Sequence, residues 1–252
     1  MIMLEQQIIS SPKLEVAIEN IAALDPDEYA LARRKSFGAS DSSIILNVNL
    51  YQGMEDLIRI KKSTEITEEE RAISKKDAVR KGRDLEPLIL QKFKELHQGN
   101  PDVLKPENMY KIKDFPYLTI NFDGVIEERN LLIPVEAKFI TTYGDKYYNR
   151  AVALEREFGE CALCDRVVPY TNIVERIKSK ALSVGIPPYY YTQVQQQILG
   201  LDAPYGYLVA LHDKGWELCI YRVARDEEVI NRLIIESRKH ANKLGWLGDH
   251  NG

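Results

Sequence analysis

Residues 131–140 read Leu-Leu-Ile-Pro-Val-Glu-Ala-Lys-Phe-Ile and predict a buried β-strand that carries two charged side chains. Successive side chains of a strand point to opposite faces, so Glu136 and Lys138 share one face and Val135 and Ala137 point into the core from the other. Pro134 predicts that the strand begins there or that this part of it lies at a sheet edge. A carboxylate and an ammonium group are therefore predicted side by side on a strand.

The patterns around this strand predict an α/β (α+β) fold in which one central mixed sheet is flanked by helices. The N-terminal residues, about 1–35, are expected to be helical, a short helix follows over 42–46, and a long helical pattern spans 68–97. Pro87 lies inside that pattern and predicts a kink or a new helix start near Asp84. A strand is predicted over 117–122, joined to the 131–140 strand by a turn-rich stretch. Further predictions are helical pieces near 145–157 and 171–182, a helix over 189–201, strands over 205–212 and 216–223, and a helix over 226–244.

The 252 residues, 44% of them hydrophobic, are enough for a sizeable core, so we expect one domain over 1–252 with a helical insertion at about 141–188. The net charge of −4 weighs weakly against a nucleic-acid-binding surface without excluding one, because a basic lining can be local. Neither a signal peptide nor a membrane span is predicted, and a cytoplasmic protein is expected. Three cysteines are too few for a four-cysteine cluster, and we expect Cys161 and Cys164 to be free thiols.

Asp123 ends the predicted strand before Gly124 and would approach Glu136 if the two strands pair. Mg²⁺ prefers oxygen ligands, typically one or two carboxylates with water and substrate phosphate, and a nearby lysine can position the attacking water. Asp123, Glu136 and Lys138 are thus a candidate site for phosphodiester hydrolysis. The structural alternative is a turn beside a solvated ion pair worth about 0–1 kcal/mol.

Five short motifs that follow one another along the chain favour the hydrolysis site over the structural alternative. They are Arg33 with Gly38-Ala39-Ser40-Asp41, Gly82-Arg83-Asp84-Leu85-Glu86-Pro87, Asn121-Phe122-Asp123-Gly124-Val125, Val135-Glu136-Ala137-Lys138, and Tyr190-Tyr191-Thr192-Gln193-Val194-Gln195. Together they resemble the lambda-exonuclease or YqaJ-type viral recombinase family, a branch of the PD-(D/E)xK nucleases. The resemblance covers roughly residues 30–225 and implies a restriction-endonuclease-like core.

The resemblance also implies a metal site. Asp123 and Glu136 would ligate Mg²⁺, with Mn²⁺ as a possible substitute, and the backbone carbonyl of Ala137 would complete this set. Glu86 would add a carboxylate directly or through water. Its structural alternative is an acid favoured by the dipole near a helix N-terminus.

Further roles follow from the same resemblance. Lys138 would orient the nucleophilic water, and Gln193 would hydrogen-bond near the scissile phosphate or that water. Arg33 and Ser40 would hold a DNA phosphate, which a hydroxyl at a helix N-terminus and a guanidinium suit chemically. Arg34 is an equally good candidate, and an ordinary helix cap with a surface arginine is the structural alternative. For Gln193 that alternative is an exposed helix face.

Two features depart from the family pattern. Phe122 stands where the family usually has proline, and the gap between Lys138 and Gln193 is longer than in compact members, which predicts an inserted helical segment. Aromatic and basic residues in this segment are candidates for stacking on bases or tracking phosphates, and equally for packing: Tyr143, Tyr147, Tyr148 and Arg150.

The function implied is that of a phage-type recombination exonuclease that resects linear double-stranded DNA, from 5′ ends, and leaves a 3′ single strand. The resemblance implies a ring-like homo-oligomer, a trimer in the family, a single-strand annealing partner, and a phage or prophage origin. Alternatives are another PD-(D/E)xK nuclease, such as a restriction endonuclease or a Cas4-like exonuclease, or a non-catalytic DNA-end-binding protein.

Overall fold

The computed structural model describes residues 9–74, 76–149 and 172–247, and within them the strands form two mixed sheets. The first sheet has the order β1-β3-β4-β2, with β2 parallel to β4 and the other pairs antiparallel. Its strands are β1 (Leu14–Ile18), β2 (Phe37–Gly38), β3 (Met109–Ile112) and β4 (Phe115–Ile120). The second has the order β5-β6-β7-β8, and its strands are β5 (Gly124–Glu128), β6 (Leu131–Ile140), β7 (Tyr205–His212) and β8 (Glu217–Ala224).

Helices surround both sheets. Their bounds are α1 (Pro26–Arg33), α2 (Ser42–Ile45), α3 (Met54–Lys62), α4 (Glu68–Ser74), α5 (Asp77–Leu96), α6 (Ile173–Val184), α7 (Pro188–Leu201) and α8 (Glu227–Lys243). The start of α1 follows from local chemistry, because the Asp25 side chain accepts hydrogen bonds from the backbone N–H groups of Asp27 and Glu28 at 2.8 and 3.0 Å. Across the described part of the chain, every helix is too short or too polar to span a bilayer.

The second sheet lies between α5 and α7. Phe93 of α5 packs on Tyr207, 5.4 Å between ring centroids, and Tyr207 is paired with Val135 across the parallel β6–β7 ladder. Because neighbouring side chains on a strand point to opposite faces, Glu136 points to the face that α7 covers. Helix α7 also contacts β4 of the first sheet and the helices α2, α6 and α8. The predicted charged strand therefore becomes the second strand of a sheet covered on both sides.

The predicted fold class is confirmed, with a mixed sheet and flanking helices, although the strands divide between two sheets rather than one. The predicted helices over 42–46, 189–201 and 226–244 and the strands over 131–140, 205–212 and 216–223 are present with ends shifted by up to one residue. The one-domain prediction stays a prediction. Within the predicted insertion at 141–188 the structure describes 141–149 and 172–188, which include α6 and a short 3₁₀ turn at Asp145–Tyr147.

Two local predictions are wrong, and one of the two alternatives predicted for Pro87 is excluded. The first 35 residues are not all helical, because Leu14, Val16 and Ile18 alternate at the strand period and β1 pairs with β3. The stretch after Asp123 is strand β5, whose pairing with β6 outweighs the turn signals of its sequence. Pro87 starts no new helix, since α5 continues through it.

The packing of α5 explains its continuity through proline. Ile89, Leu90 and Phe93, all buried, follow Pro87 along the helix. Burying each of these side chains is worth about 1.5–3 kcal/mol, which together exceeds the roughly 3 kcal/mol that an interior proline costs. The new helix start lies earlier, at Asp77.

A substitution at Gly200 of α7 would test how closely this helix packs on the first sheet. A methyl group there would collide with Ile120 of β4 and lie 3.3 Å from Leu14 of β1. Gly200→Ala should therefore lower the free energy of unfolding by about 1–3 kcal/mol in urea titrations. Gly82→Ala is the matched control, because Gly82 is also inside a helix but has open space around it. This control should raise stability by roughly 0.5–1 kcal/mol. Equal stability of both variants would contradict the close packing of α7.

Candidate active site

A cavity of about 500 Å³ opens where β6 meets α5, α7 and the segment that follows β2. All eight residues that the sequence predicted for the site line it. They are Arg33, Ser40, Glu86, Asp123, Glu136, Ala137, Lys138 and Gln193. Residues separated by up to 160 positions in the sequence thus face one space. The roles assigned to them remain predictions, but their convergence is an observed property of the fold.

Asp123 reaches the cavity because a glycine follows it. A side chain on Gly124 would come within 2.8 Å of Val103 and 3.0 Å of Leu90 on α5, so only glycine lets β5 approach this helix. Gly124 pairs with Val135, and Asp123 Oδ2 accepts a hydrogen bond from the backbone N–H of Ala137 at 2.9 Å. The approach of Asp123 to Glu136 is thus made through β5, because β4 belongs to the other sheet.

Glu136 is a buried carboxylate, only 1% exposed, and α7 holds both of its oxygens. Gln193 Nε2 donates to one oxygen and Gln197 Nε2 donates to the other at 2.5 Å. Burial, with repulsion from Asp123, raises the pKa of Glu136 to about 7, although Lys138 and Gln197 oppose the shift. The longer gap before Gln193 therefore does not displace it from the site.

Lys138 links the two carboxylates. Its ammonium group forms an ion pair with Glu136 and lies 3.7 Å from Asp123 Oδ2. Burial disfavours the charged form, but attraction to Glu136 and Asp123 outweighs it and raises the pKa of Lys138. The same ammonium lies 5.6 Å from the centre of the Tyr190 ring. Lys138 is therefore positively charged at neutral pH and faces the cavity.

Glu86 approaches from α5, on the other side of the cavity. Its Oε1 forms an ion pair with Lys105 Nζ at 2.8 Å. Burial and then repulsion from Asp123 raise its pKa, against the effects of Lys105 and Lys138. Asp123 therefore repels the charged forms of both Glu86 and Glu136, which makes this a cluster of mutually destabilised carboxylates.

The donor set fits a divalent cation. Among residues 9–74, 76–149 and 172–247, no cluster of three or more His, Cys, Asp or Glu side chains is arranged to hold a metal, and Glu86 pairs with Lys105. Two carboxylates on one cavity are nevertheless what Mg²⁺ commonly takes from a protein, with water and phosphate supplying the rest. A cation beside Asp123 and Glu136 would also relieve the repulsion between them.

Ser40 and Arg33 form a further part of the cavity wall. Arg33 Nη2 donates to Ser40 Oγ at 2.8 Å, and both side chains line the cavity. Arg34 points elsewhere: it is buried and donates to the carbonyls of Ser63 and Glu65 and to Glu70. The structure therefore separates two arginines that the sequence left equivalent, and Arg33 is the one placed at the cavity.

The Ser40 segment is fixed from behind by a buried lysine. Lys61 Nζ donates to Asp41 Oδ2 at 2.7 Å and to the carbonyls of Arg33 and Ser36 at 2.9 and 2.6 Å. Burial lowers the pKa of Lys61, although Asp41 opposes the shift. Asp41 also accepts from the backbone N–H of Gly38 at 2.9 Å. These bonds hold the wall in place without using the cavity-facing groups.

Sequence reasoning missed several residues of the site. Gln197 was assigned no role, yet it is four residues after Gln193 and so shares its helix face, a spacing that could have revealed it. The cavity also takes in residues to which no role had been assigned: Tyr29, Arg83, Asn121 and Tyr190. Phe122, which replaces the usual proline, is buried beside Tyr110 and leaves Asp123 at the cavity.

The aromatic residues of the predicted insertion differ in their contacts. Tyr148 packs against His212 and Tyr221, which favours a packing role. Tyr143 and Tyr147 both contact Lys146, 4.4 and 5.0 Å from its Nζ to the ring centres. The predictions for Arg150, Cys161 and Cys164 lie outside the described residues.

A mixed sheet flanked by helices, with Asp123 directly before β5 and Glu136 and Lys138 on β6, is the arrangement that the family resemblance predicted. Residues 28–200, more than half of the chain, match the YqaJ-like viral recombinase domain. The chain therefore belongs to the YqaJ-like viral recombinase family, and as a member it is a nuclease, a hydrolase acting on DNA.

Solved structures agree on the fold. An alkaline exonuclease, LHK-Exo, from Laribacter hongkongensis superposes with a TM-score of 0.52 at 15% identity, covering 86% of this chain and 91% of the other. LHK-Exo in complex with dAMP gives a TM-score of 0.54 at the same identity and coverage. No curated protein matches the chain in sequence. At this identity the likeness concerns the fold.

Alanine substitutions at the two neighbouring arginines should affect different properties: DNA binding at Arg33 and the free energy of unfolding at Arg34. Arg34→Ala removes a buried cation from two carbonyls and Glu70, so it should lower the free energy of unfolding by roughly 3 kcal/mol. Arg33→Ala should change stability by less than about 0.5 kcal/mol, because Arg33 is only partly buried. It should weaken DNA binding in an electrophoretic or fluorescence titration. A stable Arg34→Ala, or normal DNA affinity of Arg33→Ala, would reverse the assignment.

Proposed function

We propose that this chain is a Mg²⁺-dependent exonuclease that degrades linear double-stranded DNA from its 5′ ends and leaves a 3′ single strand for recombination by strand annealing. The observation that carries the proposal is the convergence of the eight predicted residues on one cavity. A non-catalytic DNA-binding protein has no chemical need for a buried glutamate next to an aspartate and a lysine. Metal-dependent hydrolysis of a phosphodiester can use all three, the carboxylates to hold the cation and the lysine to position the water.

The residues at the cavity would have distinct roles in the hydrolysis. Asp123, Glu136 and the backbone carbonyl of Ala137 would hold Mg²⁺, or Mn²⁺ as a substitute, and Glu86 would act directly or through water. The bound cation supplies an activated water and neutralises charge on the transition state. Lys138, already charged beside both carboxylates, would orient the attacking water.

Binding of the phosphates would use the Ser40 segment and α7. Ser40 and Arg33 would hold a DNA phosphate at the cavity that Lys138 also lines, with the guanidinium supplying a charge-assisted bond. Gln193 already donates to Glu136, so its amide lies where it can also reach the water or the scissile phosphate. The carboxylates and Lys138 would thus serve the metal and the water, while Arg33 and Ser40 hold the phosphate.

Action on DNA ends is supported by the family and by the fold shared with an alkaline exonuclease. The 5′ to 3′ direction, a trimeric ring, a single-strand annealing partner and a phage or prophage origin in the bacterial cytoplasm rest on the family resemblance alone. Two other outcomes remain open to experiment. A restriction-type endonuclease would cut closed circles, and a DNA-end-binding protein would cut nothing.

The first test compares linear and closed-circular duplexes with Mg²⁺ or EDTA. Linear DNA should be degraded only with Mg²⁺, and closed circles should survive because they offer no end. Label placed at the 5′ terminus of one strand should be released early, whereas label at the 3′ terminus should persist. Intact linear DNA under all conditions would overturn the proposal, cutting of circles would favour the endonuclease, and early release of 3′ label would reverse the direction.

Lys138→Ala should abolish turnover and largely spare DNA binding. The variant loses the cation that faces the cavity, while Arg33 and Ser40 remain to hold phosphate. We expect kcat to fall by at least about 10²-fold, as for loss of a transition-state donor. Single-turnover cleavage of labelled duplex measures this. Lys92→Ala, which breaks an exposed ion pair with Glu95 on α5, is the matched control and should leave kcat unchanged. A fully active Lys138→Ala would remove the catalytic assignment.

A further inference from the structure

Three tyrosine rings lead from the cavity to the surface. Tyr190 lines the cavity beside Lys138, and its ring centre is 4.6 Å from that of Tyr189. Tyr189 in turn lies 6.2 Å from Tyr51, whose side chain is 72% exposed. These three residues form a continuous aromatic row, which we call the tyrosine row. None of the roles assigned above uses Tyr51 or Tyr189.

The exposed end of the row is held rigidly by its backbone. Asn49 Oδ1 accepts hydrogen bonds from the backbone N–H groups of Tyr51 and Gln52 at 2.8 and 3.0 Å. The Asn49 amide donates to Ser43 Oγ of α2 at 2.8 Å. The loop that carries Tyr51 is therefore tied to the same short helix that follows Ser40. The backbone that carries the exposed ring is therefore ordered before a ligand arrives, which lowers the entropic cost of binding.

The inner end of the row is equally fixed. Tyr189 and Tyr190 lie in the first turn of α7, directly after Pro187 and Pro188, which restrict the backbone there. Tyr190 is held between Lys138 and Tyr148. The helix that holds the Glu136 carboxylate thus also holds two rings of the row, so the distance between the row and the carboxylate is set by one rigid element.

We propose that the tyrosine row is a stacking subsite for the unpaired bases of a DNA strand at the cavity, a proposal that rests on the proposed function. Every base has an aromatic face, so stacking holds a strand without selecting its sequence, as a nuclease of broad specificity requires. The row begins beside Lys138, where the phosphate would be cut, and extends outward. A strand with its phosphate at Lys138 would therefore extend along the row toward Tyr51, whose exposed ring would stack on an unpaired base.

The test measures binding to two duplexes that share a short unpaired overhang, one with normal bases and one with abasic sugars. Ca²⁺ replaces Mg²⁺, and intact strands after incubation show that no cleavage has occurred. The wild-type chain should prefer the base-bearing overhang by about tenfold, the lower range for stacking of one base. Tyr51→Ala should lose most of this preference, because it removes the exposed ring. Tyr51→Phe should keep it, because the ring remains.

Trp216→Ala is the matched control, since Trp216 is 61% exposed but contacts Phe139 rather than the row. It should keep the wild-type preference. The proposal is overturned if the wild type shows no preference for bases, if Tyr51→Ala retains it, or if Trp216→Ala loses it equally. Cleavage of blunt linear duplex is measured separately. A chain that prefers bases but never cuts would refute the proposed function and leave the subsite intact.

Discussion

The buried amides of α7 are the interactions on which the rest of the structure depends. This helix has four glutamines, of which Gln195, Gln196 and Gln197 are fully buried. A buried polar group that finds no partner costs about 1–3 kcal/mol. Gln195 bonds the carbonyl of Ala224 and the backbone N–H of Asp226, where α8 begins. Gln196 donates to the carbonyls of Phe37 and Thr119, one on each of two neighbouring strands of the first sheet.

The remaining amides serve the other sheet. Gln193 and Gln197 hold Glu136 of β6, so a single helix joins both sheets and fixes the carboxylate that defines the site. A carboxylate buried beside another acid is unstable in its charged form, as the raised pKa of Glu136 reflects. Two amides and one ammonium group compensate for this. The site and the junction of the sheets are therefore parts of one hydrogen-bond network, and each constrains the other.

Much of this arrangement could be predicted from the sequence, and the failures have physical causes. The strand 131–140 and the helix 189–201 were predictable because their patterns are long and regular. Strands β1, β3 and β5 were missed or misjudged because four or five residues carry little periodicity. The partner of β1 is also distant in sequence, whereas turn signals obscured the hairpin partner of β5. The division of the strands between two sheets could not be predicted either, because strand pairing is decided by tertiary contacts. The site residues were predictable as a set, yet nothing in the sequence distinguished Arg33 from Arg34, because only their three-dimensional partners differ.

The charges that line the cavity bear on DNA binding more directly than the net charge of the chain does. The cavity lining has three cations, Arg33, Arg83 and Lys138, and three carboxylates, Glu86, Asp123 and Glu136, so the formal charges cancel. Such a lining gives a DNA phosphate little net attraction by itself, because its cations and carboxylates are equal in number. A divalent cation held by the carboxylates would make the cavity positive by two charges. In the proposed function, the metal that supports hydrolysis would thus also make the site attractive to its substrate, and the overall charge of −4 says nothing against DNA binding.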